Sequence, residues 1–198
     1  AGTSPEEQAQ ADELRTWGMQ VEVFPVSLTR SLRNCLQALP TREPLQAVFS
    51  YHPGLERRLS GLLRAEAFDV LHIEHLRAAR FVRSVRETPT VYDAVDCISL
   101  LFEQTIRHGA QLRSRLMTAV DLARTRRYEA WLLSQYNQVV VTSQRDKDAL
   151  EALTHRYLPP EAQTAPVTVV TNGVDLEYFN PSNLQPPTSN LQPPTVIF

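Results

Sequence analysis

Short runs of β-branched and aromatic residues alternate with longer segments of helical apolar spacing along almost the whole chain. The strand-like runs are Gln20–Val26 (QVEVFPV), Phe68–Glu74 (FDVLHIE), Thr88–Val95 (TPTVYDAV), Gln138–Ser143 (QVVVTS) and Pro166–Val170 (PVTVV). Between them, Leu28, Leu32, Leu36 and Leu39 recur at helical spacing, and so do Leu55, Leu59, Leu62 and Leu63 after Pro53-Gly54. Further helices are predicted from Leu76 to about Val85, around Leu100 to Ile106, from about Ala110 to Tyr136, and after Ser143, which caps with Asp146 three residues on. A first helix is framed by Ser4, Pro5 and Glu7 at its start and Gly18 at its end. Strands rich in Val, Ile and Leu, each followed by a helix, predict an α/β fold: a Rossmann-like parallel sheet with helices on both faces.

Composition excludes several classes. The 198 residues are 42% apolar and 21% charged, with a formal charge of −2, which gives no electrostatic footprint for nucleic acid. No apolar run approaches the roughly 20 residues of a membrane span. Cys35 and Cys97 stand far apart without metal spacing, so a reducing, cytoplasmic setting is the default and no metal is expected. There is neither a Gly-x-Gly-x-x-Gly turn nor a P-loop.

In open parallel sheets, ligands bind beyond the carboxyl ends of the strands. Here those ends carry Glu74-His75, Asp93 to Asp96, Thr142-Ser143 and Asn172-Gly173. In HIEH, side chains alternate, so His72 and Glu74 share one face while His75 points the other way, against a shared cation. His72 reads as a hydrogen-bonded core residue, whereas His75 and Arg77 lie just past the strand where a ligand would sit. Asp93 and Asp96 suit either helix capping or substrate contact. Cys97 suits a small buried residue, or a nucleophile for which no base partner is evident. Arg107, Arg113, Arg115, Arg124, Arg126 and Arg127 line the long helix, as a solvated face or as peripheral contact with an anionic inner-membrane surface. Tyr128, Glu129, Trp131 and Leu132 read as packing residues against the sheet.

The stretches FDVLHIEHL, TPTVYDAVDCISLLFEQ, TRRYEAWLLSQYNQVVVTSQRD and VTVVTNGVDLEYFNP together carry a resemblance. The chain resembles the amino-terminal, acceptor-side domain of the group-1 (family four) glycosyltransferases of the two-domain GT-B fold. Within that family it is similar to bacterial sugar transferases of exopolysaccharide and PEP-CTERM clusters. The resemblance implies transfer of a sugar, with retention, from a nucleoside-diphosphate sugar to a hydroxyl of a glycan or lipid-linked acceptor, without a bound metal or permanent cofactor. It implies that Asn172 holds a bend at the interdomain cleft and that Gly173 lets backbone approach the sugar nucleotide. Many relatives place a histidine near the segment that here reads Asp93-Ala94-Val95-Asp96, so Asp96, with Asp93, takes the catalytic expectation. Glu74, His75, Arg77 and Ser143 are the expected substrate contacts. Asp175 is expected to cap the turn that follows.

On this reading residues 1–181 are a GT-B amino-terminal domain lacking its first strand. Residues 182–194, with the tandem SNLQPPT repeat, form an extended Pro-rich linker, and 195–198 begin a strand of a donor domain that the chain lacks. The fragment is then expected to be inactive alone. Competing readings are a GT-B epimerase or phosphorylase, a non-catalytic glycan- or protein-binding module, and a cysteine hydrolase built on Cys97.

Overall fold

The computed structural model describes residues 5–83, 85, 87–107 and 112–177. Ser4, the proposed linker and the final strand lie outside them. In chain order the elements are α1 (Pro5–Thr16), α2 (Leu28–Ala38), α3 (Leu45–Phe49), α4 (Pro53–Ala65), β1 (Leu71–Glu74) and α5 (His75–Ala78), followed by a 3-10 turn (Ala79–Val82). Then come β2 (Thr90–Val95), α6 (Ile98–Arg107), α7 (Leu112–Leu133), β3 (Gln138–Val141), α8 (Gln144–Tyr157) and β4 (Val167–Val169).

The four strands form one parallel sheet in the order β1-β2-β3-β4, with helices in every crossover. Register pairs Glu74 with Asp93, Val95 with Val141, and Val141 with Val169, so the four carboxyl ends finish along one edge. Burial alternates along β2, where Thr90, Tyr92 and Ala94 face the core while Val91, Asp93 and Val95 are half-buried. The core joins Ile73, Tyr92, Val139 and Val141 of the sheet to Leu76, Leu132, Leu133 and Leu150 of the helices. Tyr92 and Tyr136 stack with centroids 5.1 Å apart, and the Tyr136 hydroxyl donates to the Ala79 carbonyl at 3.0 Å. This tie fixes α7 and the turn after β1 to the same side of the sheet.

Three buried carboxylates cap helices other than their own. Asp121 of α7 accepts from the Leu45 amide at 2.8 Å, where Pro44 leaves α3 without a side-chain cap. Glu129 of α7 and Asp146 of α8 both act at the start of α6. Each satisfies amides that a helix start leaves without intrahelical partners.

Several sequence expectations are corrected. Gln20–Val26 is not a strand. Its backbone is held by side chains instead, with the Arg15 guanidinium on the Val21 carbonyl and Arg58 on the Glu22 carboxylate. β-propensity expresses itself only beside another strand's open backbone, and no strand pairs with this segment. The leucines of α2 are at helical spacing, yet Leu28, Leu32, Leu36 and Leu39 are exposed, whereas Ser31 and Ala38 are buried. Small residues bring α2 close to α3, and the apolar stripe turns outward. The helix predicted from Leu76 to Val85 is a single α-turn that tightens into the 3-10 turn ending at Val82. Gly18, by contrast, ends α1 as anticipated: it sits at φ 86°, and its amide donates to the Arg15 carbonyl at 3.0 Å.

Candidate active site

Two adjacent strands end in residues with positive φ that are not glycine. His75, straight after β1, is at φ 67°, and Val95, the last residue of β2, is at φ 61°. For a β-branched residue this region is a genuine outlier, costing about 1–3 kcal/mol unless its surroundings impose it. At Val95 the surroundings are visible. The Asp96 amide donates back to the Ala94 carbonyl at 2.7 Å, closing a γ-turn centred on Val95. Asp93 Oδ1 accepts from the Val95 amide at 3.0 Å. Just past β3, both the amide and the hydroxyl of Thr142 donate to the Val95 carbonyl at 3.0 Å. The register shift between Asp93 and Val95 in the β2–β3 ladder is the price of this turn.

The turn ends with Asp96 at the carboxyl edge of the sheet. Neither Asp93 nor Asp96 caps α6, because that work is done by Asp146 Oδ1, 2.9 Å from the Cys97 amide, and by Glu129, 3.2 Å from the Ser99 amide. Asp93 braces the turn and meets His72 Nε2 at 3.4 Å. Among the described residues the Asp96 carboxylate has one long hydrogen-bond contact, with the Thr142 hydroxyl at 3.5 Å. It is the less committed of the two.

His75 is within electrostatic reach of this carboxylate. Burial and the Arg77 guanidinium push its imidazole below the ordinary histidine value, while Glu74 and Asp96 pull the other way. Its Nδ1 accepts from the Arg77 amide at 3.3 Å, so Nε2 is left as the outward nitrogen. Glu74 and Arg77 are exposed, and neither makes an ion pair among the described residues. Ser143 caps α8: its hydroxyl accepts from the Asp146 amide at 3.2 Å and bonds the Asp146 carboxylate, so it is already engaged. Asn172 and Gly173 follow β4, beyond the Val170 amide that still donates to Val141 at 2.8 Å, and both are exposed. The Asn-Gly pair does not adopt the positive φ its sequence favours. Gly173 lies outside that region, and a Cβ there would meet nothing within 4 Å. Asp175 Oδ1 accepts from the Glu177 amide at 2.9 Å, the turn cap anticipated for it.

One other reading changes, and the small-buried-residue reading of Cys97 holds. His72 is not a core residue; its side chain is 57% exposed and faces Asp93. Cys97 is buried, and burial followed by the nearby Glu129 carboxylate pushes its thiol up to about 12, which removes the thiolate a hydrolase would need. Of the arginine row, the described side chains are used within the chain: Arg124 donates to the Leu39 carbonyl, Arg126 pairs with Glu103, and Arg127 lies over the Tyr157 ring. Arg107, Arg113 and Arg115 have side chains outside the described set. Among the described residues no cluster suits a metal ion, and no helix is long and apolar enough to cross a membrane.

Glu129 is buried, as its reading as a packing residue anticipated, but its role as a cap for α6 was missed by sequence reasoning. It is 1% exposed, and burial pushes its carboxyl up to about 7 against hydrogen bonds from the Ser99 hydroxyl and amide, the Ile98 amide and the Cys97 thiol. The one available signal was an acidic residue inside the apolar run Tyr128–Leu133, where a charge needs a buried partner.

The sequence profile of Glycosyltransferase Family 4 matches residues 8–178, which spans every strand end described above. The chain belongs to glycosyltransferase family 4. No curated protein matches it. The family accounts for the all-parallel, Rossmann-like sheet as that of a GT-B amino-terminal domain, and it implies glycosyl transfer, with sugar-nucleotide and acceptor binding, as the general chemistry of the protein.

Proposed function

We propose that this edge is the acceptor side of a retaining glycosyltransferase that moves a sugar from a nucleoside-diphosphate sugar to a hydroxyl in exopolysaccharide or glycolipid assembly. The observation that carries the reading is the strained Val95 turn, which holds the little-used Asp96 carboxylate at the strand end, within electrostatic reach of His75. Strain maintained by four hydrogen bonds at a strand end is unexplained by stability and is what a preorganised site requires. In the transfer, the bond from the anomeric carbon to the diphosphate oxygen breaks, and a bond from that carbon to the acceptor oxygen forms. The acceptor proton departs to a base at the site or to the leaving diphosphate. A carboxylate at this position stabilises the positive charge that develops on the sugar, and the neutral imidazole of His75 orients a hydroxyl. Gly173 is required neither by its backbone angle nor by packing, which fits a place kept free for the substrate. Donor binding and closure of the cleft are assigned to a second domain, and metal takes no part.

The test is to incubate the full-length protein with nucleoside-diphosphate sugars and a panel of hydroxyl acceptors, and to analyse the products by mass spectrometry and NMR. The proposal expects acceptor-dependent release of nucleoside diphosphate, retained anomeric configuration and no loss with EDTA. Release of an epimerised sugar without acceptor, or an inverted linkage, refutes it.

A further inference from the structure

One cavity, lined by none of the strand-end residues, gathers positive charge that is left unpaired among the described residues. It opens where α2 and α4 begin, encloses about 500 Å³, and is lined by Arg30, Arg33, Asn34 and Gln37 of α2 together with Ser27 and Tyr51. Positions 30, 33, 34 and 37 are i, i+3, i+4 and i+7, so one face of α2 supplies all four side chains. The exposed leucines occupy a different stripe of the same helix. Arg58, Arg80, Arg83 and Arg126 each hold a carboxylate, whereas Arg30 and Arg33 make no ion pair or side-chain hydrogen bond among the described residues. The segment Leu28–Ala38 contains no acidic residue. The Glu56 carboxylate, which accepts from the cavity residue Tyr51 at 2.5 Å, keeps its charge but pairs with neither Arg30 nor Arg33 among the described residues.

The rest of the lining is equally suited to an anion. Asn34 Nδ2 donates to the Tyr51 carbonyl at 2.9 Å and so fixes the wall between α2 and α4. Ser27, in the lining, caps α2 by accepting from the Arg30 amide, and the positive end of the helix dipole lies at this end of the cavity. Two guanidinium groups one helical turn apart match the bidentate geometry of phosphate oxygens better than lone charges would. The volume is that of a site for a small molecule, within the usual range of roughly 300–1,000 Å³.

We propose that this cavity binds a phosphate-bearing ligand, with Arg30 and Arg33 holding the phosphate and Asn34 and Gln37 contacting the group attached to it. The site is separate from the strand ends and stands whether or not the transferase reading does. The phosphate belongs either to a soluble phosphorylated sugar or to a lipid headgroup.

Titration calorimetry and NMR on the full-length protein test this with glucose 1-phosphate, unphosphorylated glucose, and phosphatidylcholine vesicles with and without phosphatidylglycerol. The proposal expects saturable binding of glucose 1-phosphate or of the anionic vesicles, none of glucose or neutral vesicles, and a loss of about tenfold or more in Arg30→Gln and in Arg33→Gln. Whichever probe binds identifies the source of the phosphate. Binding of neither probe, or binding unaltered by both substitutions, overturns it. Asp96→Asn is the control: it leaves phosphate binding intact, so failure at the cavity and failure at the strand ends are read separately.

Discussion

At Val95 a β-branched side chain occupies φ 61°, a conformation that glycine adopts at little cost. Val95→Gly releases about 1–3 kcal/mol of backbone strain and forfeits a similar amount in unfolded-chain entropy and half-buried contacts. Urea denaturation is therefore expected to show stability within about 1 kcal/mol of the parent, where Val→Gly at an unstrained strand position would cost more. Glu129 makes a pH-dependent prediction. Its folded-state carboxyl is raised from 4.5 to about 7, so the folded chain holds the proton more tightly than the unfolded chain does. Its contribution to stability is greatest below about pH 4.5 and falls as pH rises to about 7, by on the order of 3 kcal/mol. Glu129→Gln flattens that slope, which denaturation at about pH 5 and about pH 8 measures directly. Gly173→Ala meets no steric or backbone obstacle, so it leaves the melting temperature unchanged. A raised KM for the sugar nucleotide with unaltered stability then marks that position as substrate-facing.

Helix α6 begins immediately after the strained turn, and its first amides are held by carboxylates 30 and 49 residues away in sequence. Asp146→Ala removes the bond to the Cys97 amide and the Ser143 contact together. The expected cost is about 1–3 kcal/mol, with faster hydrogen exchange at the Cys97 amide. These caps were invisible in the sequence because no local pattern links Asp96-Cys97 to Glu129 or Asp146. The local cap from Ser143 to Asp146 was legible, since it needs only a spacing of three. All four strands of the sheet were legible for the same reason: β-branched runs bounded by polar ends are local signals. Gln20–Val26 carried the same signal but has no neighbouring strand, and α3 was missed because five residues are too few to show a period. The outward leucines of α2 make a further contrast. Leu32→Gln is expected to change stability by no more than about 0.5 kcal/mol, whereas Leu132→Ala, fully buried in α7, costs about 2–5 kcal/mol.

Across the whole molecule, parallel order and register bring residues from four separate stretches to one edge of the sheet. The sequence alone located the strand ends along that edge, because β-branched runs closing on polar residues are local signals. It did not rank the residues along it. Ranking required the hydrogen bonds that commit Asp93 and Ser143 to structure and leave Asp96, among the described residues, with a single long contact. The same accounting removed Cys97 from the candidates and returned Glu129 as a buried support for the segment that carries Asp96. The most direct measurement is the rate of acceptor-dependent nucleoside diphosphate release by full-length Asp96→Asn protein with a melting temperature equal to the parent's. The account predicts a fall in kcat of about a hundredfold or more, with little change in KM. An unchanged kcat in the folded variant contradicts it.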